Sequence, residues 1–145
     1  MKRILNITFI FFLLNACSKD DNVQTAPSIK ILGVSATDIT EFTDSLVIDL
    51  EYTDGDGDIG ESDPDKNSLY IKDRRLSEAD YYFVKPLSPT GSEIKITGKI
   101  SVKMKNTFLL GTGNTEVTRF DIKLRDRAGH WSNTTNTPEI TIHRK

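Results

Sequence analysis

Apolar and polar residues take turns along most of this chain, and a period of two commits it to strands more firmly than any other feature of the sequence. Leu46, Ile48, Leu50 and Tyr52 alternate with Val47, Asp49 and Glu51. Ile94, Ile96, Gly98, Ile100, Val102 and Met104 alternate with Lys95, Thr97, Lys99, Ser101 and Lys103. Thr118, Phe120, Ile122 and Leu124 alternate with Arg119, Asp121, Lys123 and Arg125. Successive side chains of a strand point to opposite faces, so each run offers one apolar face for burial and one polar face for water. Shorter runs predict strands near residues 29–34, 69–72, 81–84 and 140–143. Gly98 interrupts the apolar face of a long strand, where a bulge or bend is expected. Residues 76–80 are the sole helical candidate, barely one turn long.

About seven short strands, polar turns and no substantial helix predict two packed antiparallel sheets, each wet on one side. The expected architecture is all-β, a single sandwich of the immunoglobulin or fibronectin-III type. The chain has one cysteine and so no internal disulfide, and the Cys…Trp…Cys arrangement of antibody domains is absent. A domain without disulfides is held by its core, by bound ions or by partners.

The cysteine has another use. Lys2 and Arg3 precede an apolar run over residues 4–14, broken only by Asn6 and Thr8. A positive start and a short apolar stretch are the grammar of a secretion signal, and the stretch is too short for a permanent span. Leu14-Asn15-Ala16-Cys17 follows and resembles the lipobox of bacterial lipoproteins, although Asn15 is a less usual occupant of its position. The resemblance implies cleavage before Cys17 and attachment of a diacylglycerol and a fatty acid to it. The expected division is a signal peptide at 1–16, a lipidated cysteine with an acidic tether at 17–27, and the sandwich at 28–145. Within the tether, Lys19-Asp20-Asp21 resembles the export signal of Bacteroidota surface lipoproteins, which implies an outer-membrane anchor and a domain facing the cell exterior. The plainer expectation for the same residues is a flexible spacer. Removing Lys2 and Arg3 with the signal takes the net charge from −2 to −4, which argues against a nucleic-acid partner.

The strongest chemical motif follows the second strand: Asp54-Gly55-Asp56-Gly57-Asp58-Ile59-Gly60-Glu61-Ser62-Asp63. Asp54, Asp56 and Asp58 bring three carboxylates into one tight turn. Two such groups ~6 Å apart repel by ~1 kcal/mol in water and ~3 kcal/mol at an effective dielectric near 20. A hard cation relieves that repulsion, and calcium prefers carboxylates with backbone carbonyls. The glycines let the chain fold back so that its oxygens converge. The loop is not an EF-hand, because Ile59 stands where that loop requires glycine and strands flank it. Calcium is therefore the expected cofactor, with Asp54, Asp56, Asp58, Asp63 and the later Asp126 as its candidate ligands.

Asp126 enters through a second resemblance. Tyr52, Asp54, Asp56, Gly57, Asp58, Ile59 and Gly60, with Asp126, Ala128, Gly129 and Ser132, resemble two short motifs of Ig-like domains in small Bacteroidota lipoproteins. The resemblance implies a sandwich and a surface address, and no activity. If the strands run in order, the connections after the second and sixth strands share one end of the sandwich. Asp126 then approaches the acidic loop as a further ligand or as a brace.

Catalytic signals are thin, and no enzyme is expected. His130 and His143 are far apart and lack partners at zinc-binding spacing. No nucleophile elbow or phosphate loop occurs, and Gly111-Thr112-Gly113-Asn114 falls between strand patterns, as a turn does. Tyr81-Tyr82-Phe83 sets rings on both sides of a strand, and Trp131 falls in a loop, making Tyr82 and Trp131 candidate contacts for a protein or glycan ligand. Core or core-edge placement is the plainer expectation for most rings. Asp44-Ser45-Leu46 resembles the O-glycosylation site of exported Bacteroidota proteins. The expected function is a lipid-anchored, calcium-stabilised Ig-like module with a binding or structural role. A glycan-capture accessory and an envelope enzyme are the alternatives.

Overall fold

Each strand expected from the alternation forms, within a few residues of its expected ends. The structure, a computed structural model, describes residues 25–91 and 93–145. The expected signal peptide, Cys17 and Lys19-Asp20-Asp21 lie outside the described residues. The strands are β1 Ser28–Val34, β2 Asp38–Thr40, β3 Leu46–Asp54, β4 Leu69–Asp73, β5 Asp80–Tyr82, β6 Ile96–Met104, β7 Thr115–Thr118, β8 Phe120–Leu124, β9 Thr135–Asn136 and β10 Ile140–His143. No helix occurs among the described residues; of residues 76–80, the first three form a bend and Asp80 begins β5.

The architecture is an all-β, disulfide-free sandwich. One sheet has the order β1-β3-β6 and a second the order β5-β4-β8-β9. Strand β3 shows why the pattern works: Leu46, Ile48, Leu50 and Tyr52 are buried, while Val47, Asp49 and Glu51 face outward. Ile71, Ile122 and Leu124 answer from the second sheet and join the same core. At about 25 cal/mol per Å² of apolar surface, each such side chain contributes roughly 1.5–3 kcal/mol when fully buried. The buried aromatics are Tyr52 and Phe120 alone among the described residues, so the core is aliphatic. Tyr81, Tyr82 and Phe83 are all exposed, with Tyr82 and Phe83 at the edge of the core rather than in it.

A third sheet, β2-β10-β7, corrects the expectation of two antiparallel sheets, since β2 runs parallel to β10. It arises because two strands change sheets partway. The alternation over residues 118–124 is continuous in sequence, but Thr118 pairs with Ile140 whereas Ile122 pairs with Thr135. The chain crosses at Arg119, and on the facing strand at residues 137–139. Thr137, fully buried, holds the crossing together: its hydroxyl accepts the Phe120 N–H at 3.0 Å and its own N–H donates to the Phe120 carbonyl.

Gly98 makes no bulge. The β3–β6 register runs unbroken from Leu46↔Met104 to Asp54↔Ile96, with Tyr52 opposite Gly98. A Cβ at Gly98 would collide with the Tyr52 ring, so the glycine makes room for a cross-strand aromatic. The register shift in this sheet falls between Ile31 and Gly33.

Candidate metal centre

Strand β3 ends on Asp54, and the chain reverses there. The Asp54 carboxylate accepts the Asp58 N–H at 2.8 Å through Oδ2, closing a tight loop. Gly57, at φ +72°, permits the reversal, and a Cβ there would strike the Ile94 carbonyl. Ser88 donates its hydroxyl hydrogen bond to the Gly57 carbonyl. Ile59 is wholly buried and anchors the loop in the core. The Gly60 backbone, at φ +89°, lies against residues 85 and 86, where only glycine fits.

The hairpin after β8 clamps the other side of this loop. Ile59 and Asp126 form an antiparallel bridge, the Arg127 N–H donates to the Asp58 carbonyl at 3.1 Å, and the Ala128 N–H donates to Asp58 Oδ2 at 3.1 Å. The two loops thus share one end of the sandwich, as the strand order required. The extra strands leave this result intact, because β7 and β8 are one strand crossing between sheets.

One carboxylate oxygen from each of Asp54, Asp56 and Asp58 lies within 4.8 Å of the others. The Oδ1 atoms of all three are enclosed and have no hydrogen-bond partner. Asp54 is 1% exposed, so its Oδ1 is a buried, unpartnered anionic oxygen aimed into an acidic cluster. An unsatisfied buried charge is costly, and the protein can escape that cost by holding a proton or a cation. Burial pushes the Asp54 carboxyl up to about 6, against the Asp58 N–H, which lowers it; repulsion from Asp56, Asp58 and Asp126 raises it further. Burial likewise raises Asp58, with repulsion from Asp126 and Asp56 adding and the Ala128 N–H and Arg127 opposing. Three hard oxygens this close are the donor set a divalent cation uses, the remaining positions going to carbonyls or water.

The other expected ligands stand differently. Asp63 is exposed and lies outside the cluster, accepting the Asp65 N–H at 3.1 Å in its own turn. Asp126 is buried beside the cluster, but its carboxylate serves its own hairpin: Oδ1 accepts the His130 N–H at 2.7 Å, and Oδ2 lies 2.9 Å from His130 Nδ1. Of the two roles expected for Asp126, the contacts are those of a brace. Ser88 and Arg127, whose guanidinium donates to the Gly60 carbonyl at 3.2 Å, also support the loop. Nothing in the sequence marked Ser88, since its partner is 31 residues away and is a backbone oxygen.

Tyr82 and Trp131 are not brought together. Adjacent residues of β5 point to opposite faces, so Tyr82 turns toward the opening between the sheets and Tyr81 outward. Tyr81, Tyr70 and Lys123 form a cross-strand row on the outer face, where Trp131 meets Tyr70 edge-on at 6.3 Å between ring centroids. Lys123 and Arg125 lie over the Trp131 ring at 5.0 and 5.4 Å. Ser45, of the glycosylation-like triplet, is half-buried between Asp44, which accepts the Thr40 N–H, and the fully buried Leu46. No protein-family model matches the chain, and none of the curated proteins matches it.

Proposed function

We propose that this protein is a lipid-anchored module of the bacterial cell envelope whose sandwich is stabilised by calcium at one end and serves a binding or structural role at the cell surface. The observation that carries the metal part is the buried, unpartnered Asp54 Oδ1 inside a triad of carboxylates. A calcium ion there neutralises three mutually repelling groups and ties the β3 loop to the hairpin braced by Asp126. Extracellular calcium modules typically bind at ~10⁻⁴–10⁻³ M, which suits a site supplied by the external medium. The anchor and the surface address rest on the sequence of residues 1–21, where signal, lipobox and acidic run stand in order.

Calorimetric titration of calcium into the wild type is expected to show one site in that affinity range, and Asp56→Asn is expected to abolish the heat. Heat unchanged by the substitution would remove the triad from the site. The anchor has its own test. Cys17→Ala is expected to stop incorporation of labelled fatty acid, and alanine at Lys19, Asp20 and Asp21 is expected to hide the domain from protease added to intact cells. Continued labelling would refute the anchor, and unchanged protease access would reduce the acidic run to a spacer.

A further inference from the structure

We propose that the free edge of β6, with the apolar cleft beside it, is a docking site for an extended strand of another polypeptide carrying alternate acidic and apolar side chains. This inference does not rest on the metal reading. Strand β6 is nine residues long and ends its sheet, and β5 ends the facing sheet. Between them lies a cleft of about 350 Å³, with Leu69, Val84 and Leu87 on one side and Ile100, Val102 and Met104 on the other. The inward side chains of β6 are only half-buried, unlike those of β3, because no neighbouring strand closes this flank. Tyr82 and Phe83, at the β5 side of the same cleft, are each 42% exposed. The cleft also reaches Ser101 and Lys103, on the outward face of β6, so it opens onto the unpaired backbone. An edge of this kind accepts a strand through main-chain hydrogen bonds, with alternate side chains filling the adjoining cleft.

Charge decides the occupant. Lys95, Lys99, Lys103 and Lys105 share the outward side of β6, all exposed, and Lys85 stands across the cleft. None of these lysines is in an ion pair among the described residues; the sheet's one pair of this kind joins Lys30 to Glu51 at 2.7 Å. A second copy of the chain is a poor fit. Antiparallel self-pairing centred on Lys99 sets Lys95 opposite Lys103, and centring on Ser101 sets Lys99 opposite Lys103. Like charges directly opposite destabilise a strand pair, and edge lysines block self-association in this way. A strand with acidic residues on its outward face meets the same lysines favourably and buries its apolar residues in the cleft.

The test uses the full-length chain in detergent and two labelled nine-residue peptides, one alternating glutamate with valine and the other lysine with valine. Fluorescence anisotropy is expected to show binding of the glutamate peptide alone, and hydrogen exchange to show new protection along 96–104. Combining Lys95→Glu, Lys99→Glu and Lys103→Glu is expected to weaken that peptide at least about tenfold and to turn the preference toward the lysine peptide. These substitutions are on the surface, so a fold check by melting separates lost binding from lost structure. The proposal is overturned if neither peptide binds, if the reversed-charge variant binds the glutamate peptide equally, if protection falls elsewhere, or if the wild type pairs through β6 with its own copy.

Discussion

Asp54 occupies the last position of β3, where the strand's own alternation turns its carboxylate into the core side of the sandwich. That placement explains why its proton is held to about pH 6, and the sign of the consequence follows by linkage. An unfolded aspartate loses its proton near 3.9, so between roughly pH 4 and 6 the metal-free folded chain binds the extra proton. Its contribution to stability is complete below about pH 4 and is lost as pH rises through 6. In chelator, the wild type is therefore expected to be more stable at pH 5 than at pH 7.5, by about 1–1.5 kcal/mol, as read from urea unfolding. Asp54→Asn should flatten that difference; a metal-free protein most stable at pH 7.5 would show that the cluster is not strained. Asp73 does not confuse this window. Burial raises its carboxyl, but hydrogen bonds from Arg75 and Thr118 more than offset that and hold it below the usual range, so its effect appears at lower pH. The triad was legible in the sequence because its three members are neighbours in the chain. Asp126 was legible only through a motif resemblance and strand order, and its engagement by His130 was not, since a carboxylate's choice of partner depends on side-chain geometry that spacing does not encode.

At the scale of elements, alternation located the strands but not their sheets. A run such as residues 118–124 keeps one face inward throughout, so the period is unbroken where the strand leaves one sheet for another at Arg119. The same blindness hid β2 and β9, which are three and two residues long and carry too little pattern to count. Arg75 was equally silent: it pairs with Asp73 at 2.6 Å and with Glu116 at 2.5 Å, the latter 41 residues away. Gly98 is the clearest case of a residue noticed for the wrong reason. Its missing side chain is space that the Tyr52 ring fills, and glycine in a strand otherwise lowers stability. Gly98→Val is accordingly expected to destabilise by about 1–3 kcal/mol despite the better strand propensity of valine, measured as a lower urea midpoint. A rise in the midpoint would mean that the ring swings aside without cost.

Across the whole molecule, one end of the sandwich and one flank carry different burdens. The aliphatic core joins all three sheets, and the Arg119 crossing lets the third sheet extend the second. The end bearing the acidic loop is held by backbone hydrogen bonds between two loops and is burdened by uncompensated charge. Without a cation, three pairs of carboxylates about 5 Å apart repel by roughly 3 kcal/mol each at an effective dielectric near 20. Calcium at tenfold excess over its dissociation constant adds about 1.4 kcal/mol to stability. For a domain of this size that is worth roughly 5 °C in melting temperature. The most direct test of the account is therefore a pair of melting curves at neutral pH, one in millimolar calcium and one in chelator. The account predicts a higher Tm of roughly 5 °C in calcium for the wild type, and no difference between the two curves for Asp56→Asn. Wild-type curves that coincide in calcium and in chelator would contradict it, leaving the three aspartates as a solvated turn.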